Sequence, residues 1–207
     1  MKDLLKLVWV GLVASLNGTP GSLATVPRWY RQRKRLRSML AAVRCAVRGL
    51  ESVIWEAYAS VECLSTSAAK LKAAEKDLDW QGQMLDEWCR FLVAHRMYRR
   101  SQQNFTRATN DFVASLTVAE GTVAAARSKY NDTATALSAL GWLNARVAGE
   151  APHAVFRVLS PYIVEAGSLL ADARNRFARV PAEVDELAAR LAEIKESPYK
   201  GETRKDV

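Results

Sequence analysis

From Leu36 to Leu92 an apolar residue returns at every seventh position: Leu36, Val43, Leu50, Ala57, Leu64, Leu71, Leu78, Leu85 and Leu92. A second row, Leu40, Val47, Ile54, Val61 and Ala68, runs between them with alternating steps of four and three. Only a helix packed lengthwise on other helices turns that spacing into one continuous buried stripe. A two-stranded zipper would carry charges beside the stripe. Here the flanking positions are Met39, Ala46, Val53, Ser60, Ser67 and Ala74, so the apolar face is wide and predicts a bundle. Unbroken phase predicts one helix through Leu92, about 85 Å long at 1.5 Å per residue. Ser65-Thr66-Ser67 and Gly82 are the places where it would be interrupted.

A second seam follows in another phase: Phe91, Tyr98, Phe105 and Phe112, then Leu116, Val123, Tyr130, Leu137 and Leu140. The slip falls between Leu92 and Tyr98. His95, Arg96, Arg99 and Arg100 therefore read as a cation-rich helix end, and Ser101 to Asn104 as the capping residues of the next helix. A continuous helix with a local stammer is the other reading. Gly149, Pro152 and Pro161 predict a break. Beyond it a third seam runs through Ile163, Ala166, Leu170, Ala173, Phe177, Val180, Val184, Leu187, Leu191 and Ile194. Pro181 predicts a kink or short break there. No strand-like alternation of useful length occurs. The expected fold is all-α: an elongated antiparallel bundle or coiled coil of three or four long helices, plus a short N-terminal apolar helix. The expected divisions are an apolar docking or targeting segment and loop (1–27), the bundle (28–197) and a charged tail (198–207).

Charge is concentrated at one end. Residues 1–50 hold ten of the thirty Lys and Arg residues and a single acid, while the remainder has twenty basic and twenty-one acidic residues. Arg28, Trp29, Arg31, Arg33, Lys34, Arg35 and Arg37 are the expected contacts to an anionic surface, with Arg96, Arg99 and Arg100 as a secondary basic cluster. Residues 4–16, LLKLVWVGLVASL, are apolar but short for a membrane-spanning helix, and three readings stay open. They are a docking or anchoring helix, an organelle-targeting presequence, and a signal peptide ending near Ala24, which the arginines after it oppose. Gly18 to Pro27 reads as a loop. Trp9 and Trp29 suit interface anchoring, whereas Trp55 and Trp88, on or beside the wide face, suit core packing. Cys45, Cys63 and Cys89 have no metal-like spacing and read as buried, reduced thiols.

The search for chemistry finds little. His95 and His153 have no partners at ligand spacing, and there is no phosphate loop, nucleophile elbow or Glu-x-x-His pair. Glu75, on the first seam, reads as a satisfied interhelical contact. No catalytic residue, cofactor or metal is expected. The basic stretch before a heptad seam resembles basic-zipper DNA readers, yet residues 20–37 lack the base-reading asparagine and the seam is too wide.

The expected function is a non-catalytic structural or adaptor protein, an accessory subunit of a membrane-bound or organellar assembly. It would pack on other subunits through its helices and dock on a membrane surface or RNA phosphates through the basic arm. Three long helices preceded by an amphipathic segment also resemble BAR-type membrane-curving modules in architecture, though no motif carries over. An RNA-contacting ribosomal accessory protein is a further alternative. The expected location is membrane-associated, mitochondrial in one version; cytoplasmic, or secretory if residues 1–24 are a signal peptide, are the alternatives.

Overall fold

The structure, a computed structural model, describes Val8 and residues 22–196. The expected N-terminal apolar helix, apart from Val8, and the charged tail lie outside the described residues. Four helices follow one another: α1 (Ser22–Glu87), α2 (Leu92–Glu150), α3 (His153–Phe177) and α4 (Val180–Glu196). No strand occurs among the described residues, and the chain is an α-helical bundle. Residues 22–27, expected in a loop, instead form the start of α1.

The first seam stops short of Leu92. α1 ends at Glu87, Trp88 to Phe91 make the turn, and Leu92 opens α2 exposed to solvent. The six-residue step from Leu92 to Tyr98 falls inside α2, and the cation-rich stretch there is ordinary helix. Ser101 to Asn104 do not restart a helix. Ser101 is buried and donates to Asp77, while the Thr106 hydroxyl folds back onto the Gln102 carbonyl at 2.9 Å. Glu75 is exposed. Pro161 lies inside α3, and the breaks fall at Ala151-Pro152 and at Ala178-Arg179. Pro181 is the second residue of α4, where a missing N–H leaves no helical bond unmade.

Two compact units form, one from Met1–Glu51 with Lys129–Val180 and one from Ser52–Ser128 with Pro181–Val207. The first buries Trp29, Leu36, Leu40 and Val43 of α1 with Leu140, Leu143 and Val147 of α2 and Leu159, Ile163 and Ala166 of α3. Val8 and Val47 pack partly buried against this core. Arg44 to Glu165 and Arg176 to Glu51 (2.8 Å) show α1 and α3 running the same way, and Tyr130 stacks on Phe177 at 5.9 Å.

The second unit buries Ile54, Ala57, Val61, Leu64 and Leu71 of α1, Phe112, Ala119, Val123 and Ala126 of α2, and Val184 and Leu187 of α4. Its α1 and α2 are antiparallel. Stepping back from the turn, Asp77 meets Ser101, Ser67 meets Ser115 (3.0 Å) and Ser60 meets Thr122 (2.6 Å). Tyr58 is partly buried, and burial, with Glu183 and Glu186 nearby, raises its phenol above its ordinary value against the pull of Arg190. The remaining expected seam residues (Leu78, Leu85, Phe105, Leu116, Leu137, Leu170 and Leu191) are half-buried.

On α2 the inward row is Tyr98, Phe105, Phe112, Ala119, Ala126, Thr133, Leu140 and Val147, an unbroken seven-residue beat. Its middle is made of small residues: Ala119, Ala126 and Thr133 are fully buried, with the Thr133 hydroxyl returned to the Lys129 carbonyl at 2.7 Å. Burial of each large apolar side chain contributes about 1.5–3 kcal/mol. The ion pairs, such as Arg127 to Asp185 (2.7 Å) and Lys195 to Glu120 (2.8 Å), join half-exposed groups and contribute a few tenths each. The seams hold the fold. Leu50→Ala and Leu64→Ala should each cost about 2–5 kcal/mol in urea unfolding, whereas Leu92→Ala should stay within about 0.5 kcal/mol.

Candidate functional site

The basic arm is only partly a surface. Trp29 is 4% exposed and sits in the core of the first unit. Arg33, 8% exposed, donates to the Tyr162 hydroxyl and lies 4.9 Å above that ring. Arg28 covers Trp29 at 5.4 Å and pairs with Glu150 at 2.8 Å, and Glu150 also accepts from Arg146 at 2.9 Å. Buried Trp29 falls seven residues before Leu36, so helical spacing draws these groups inward. Arg31, Lys34, Arg35 and Arg37 remain on the exposed side of α1.

The tryptophans reverse the expected roles. Trp29, expected as an anchor, is core. Trp55 and Trp88, expected as core, are 76% and 50% exposed, and Trp80 and Trp142 are also more than half exposed. Apolar exposure concentrates at the α1–α2 turn, where Phe91, Leu92 (77%), Val93 (65%) and Met97 join Trp80 and Trp88. The Trp88 and Phe91 rings lie 5.4 Å apart. Trp80, Met84, Trp88, Phe91, Val93 and Met97 line an open groove of about 230 Å³. Helical periodicity concealed this patch, because Trp88, Phe91 and Leu92 all keep a seam phase.

Arginines surround the patch. From Trp88 to Asn110 the chain has five arginines (Arg90, Arg96, Arg99, Arg100 and Arg107) and no acid. All are exposed, and none has an ion-pair partner among the described residues. The expected secondary cluster Arg96, Arg99 and Arg100 is thus brought beside the aromatic turn. Asp86 and Glu87, at the end of α1, are the nearest acids in sequence.

A second groove, of about 500 Å³, is lined by Leu137, Ser138, Gly141, Gly167, Leu170 and Arg174 in the first unit. Among the described residues no three His, Cys, Asp or Glu side chains come together as a metal site, and no helix is long and apolar enough to cross a membrane. Cys45, Cys63 and Cys89 are free and exposed, not buried as expected. No known family, curated protein or solved structure matches the chain.

Two outcomes follow. All three thiols should titrate with Ellman's reagent in the native protein, at the rate of accessible cysteines and without denaturant. Tyr162→Phe, which removes the acceptor from a buried guanidinium, should cost about 1.5–3 kcal/mol in urea unfolding.

Proposed function

We propose that the chain is a non-catalytic structural adaptor, an accessory subunit of a larger membrane-bound or organellar assembly. In this reading its helices form an elongated antiparallel bundle, and their flanks pack on other subunits. The exposed cations of α1 dock on an anionic surface. The supporting observation is that large apolar side chains remain in solvent although both units have complete cores: Trp55, Val113, Val118, Trp142 and Val164. An isolated bundle gains nothing from exposed tryptophan, whereas a subunit contact does. Trp142, 5.2 Å from the Arg146 guanidinium, offers the amphipathic surface enriched at such contacts.

A BAR-like membrane-binding module is the second reading, favoured by the arginines beside the α1–α2 turn. It requires the purified protein to reshape vesicles, which the adaptor reading does not.

Gentle native isolation followed by density-gradient sedimentation tests the adaptor proposal. The wild-type chain should migrate with an assembly far larger than its own 23.0 kDa and stay there in high salt. Trp142→Ser with Val164→Ser should release it while leaving its melting temperature within a few degrees. Migration of the wild type as a free monomer overturns the proposal.

A further inference from the structure

We infer that the α1–α2 turn is a membrane-docking tip, in which the apolar side chains of Trp88 to Val93 enter the interface of an anionic bilayer and the nearby arginines hold lipid phosphates. This deepens the membrane-bound part of the reading above but rests on the second unit alone. Leu92, Val93 and Phe91 lie at the end of the helical hairpin, with Trp80 and Trp88 beside them. Leucine, valine and phenylalanine favour the acyl boundary, and tryptophan favours the headgroup level.

The cations are spaced to match. Arg96, Arg99 and Arg100 follow Leu92 by four to eight residues, about 6–12 Å along the axis at 1.5 Å per residue. With α1 and α2 standing on the bilayer, an apolar edge buried about 5–10 Å leaves their guanidinium groups among the phosphates. Over the matching lengths of the two antiparallel helices, residues 79–100, four arginines stand against three acids, Asp79, Asp86 and Glu87, with Asp77 accepting from Ser101 at the base. Among the described residues none of these arginines is tied up in an ion pair, in contrast to Arg28 and Arg44 of the first unit. Those guanidinium groups, and not the net charge, favour an anionic bilayer over a neutral apolar partner.

The backbone of the turn is paired in part. Unsatisfied peptide groups oppose insertion. Here the Trp88 N–H bonds the Met84 carbonyl (2.9 Å), the Phe91 N–H bonds Trp88 (3.0 Å) and the Ala94 N–H bonds Phe91 (3.0 Å). The Cys89 carbonyl, freed by the turn, accepts from His95 Nε2 at 2.9 Å, which assigns the proton to that nitrogen.

Cys89 provides the probe, since its exposed thiol lies inside the tip. An environment-sensitive fluorophore is placed on Cys89 of the full chain carrying Cys45→Ser and Cys63→Ser. The label should shift to the blue on phosphatidylcholine vesicles containing phosphatidylserine, and hardly at all on phosphatidylcholine alone. In sedimentation of the unlabelled chain, Leu92→Ser and Val93→Ser should each weaken binding by about tenfold. Arg96→Gln, Arg99→Gln and Arg100→Gln should each weaken it several-fold and flatten its salt dependence. These side chains are exposed, and an unchanged melting temperature separates lost docking from lost folding.

No blue shift on the anionic vesicles overturns the tip, as does binding that survives the tip changes but disappears with Lys34→Gln, Arg35→Gln and Arg37→Gln. Self-association through the turn, or capture of a purified protein partner there without lipid binding, also overturns it. None of these results alters the gradient position of the native assembly, so the adaptor reading is judged separately.

Discussion

The facing rows of α1 and α2 are the contact on which the rest of the fold depends. Leu36, Val43, Leu50, Ala57 and Leu64 are almost wholly withdrawn from water on one helix, and Phe112, Ala119, Ala126, Thr133 and Leu140 on the other. Small residues in the middle of the α2 row, with Ala57 in the row of α1, admit close approach of the two helices. The hydroxyl pairs contribute less to the register than their place suggests. Ser60 and Thr122 touch at 2.6 Å, but each also reaches a carbonyl of its own helix, Ala57 and Ala119 respectively. With one hydrogen per hydroxyl, one member gives its proton to its partner and the other to its own helix. A shifted register would leave both bonded within their helices. Matching of side-chain volumes, and not polar pairing, must therefore select the alignment.

Much of the architecture was legible in the heptads. The third seam illustrates why: Ile163, Ala166, Ala173, Val180, Val184 and Leu187 are buried on both sides of the Ala178-Arg179 break. α4 restarts in the phase that α3 leaves, so one row of apolar residues serves two helices. The hydropathy signal of the second seam comes from its larger side chains, Leu116, Val123 and Tyr130. The parallel row of Ala119, Ala126 and Thr133 lies deeper, but small or polar residues give a weak hydropathy signal. The site was less legible. The Trp88 to Phe91 turn has no Gly or Pro, and the beat continues across it to Leu92. Periodicity reports which residues share a face while a helix lasts. It does not report where the helix stops, and at this turn the stop moves Leu92 from seam to solvent.

The same limit explains the reversal of the tryptophans. Trp29 stands among arginines, and composition alone assigns it to a surface. Its position seven residues before Leu36 assigns it to the core, where the guanidinium of Arg28 covers its ring. Arg33 follows it inward because the Tyr162 ring and hydroxyl receive both its planar face and its N–H. A basic stretch is therefore no measure of available positive surface. The side chains left outside are Arg31, Lys34, Arg35 and Arg37, those the helix turns away from the core.

Charges around the α1–α2 turn run against what helix stability alone would select. α1 ends on Asp86 and Glu87, with no basic residue in its last turn, and α2 begins with no acid in its first. The macrodipole favours the opposite at both ends, by about 0.3–1 kcal/mol for each well-placed charge. The patch between them exposes apolar area that further burial would stabilise. The α2–α3 break shows the same lack, since α2 ends on Glu150 with no basic residue in its last turn and α3 has no acid in its first, whereas α4 opens with Glu183 and closes with Lys195, in line with its dipole. The dipole mismatch is therefore not what distinguishes the α1–α2 turn; its exposed apolar side chains are, and a local inconsistency of that kind is expected where a surface serves something outside the fold. Arg96, Arg99 and Arg100 lie past the first turn of α2, where its dipole costs them little; at an anionic interface they gain phosphate partners, and the exposed rings gain an apolar phase. The acids that end α1 gain nothing there, so the proposed docking at this turn rests on its exposed rings and arginines, not on relief of the dipole mismatch.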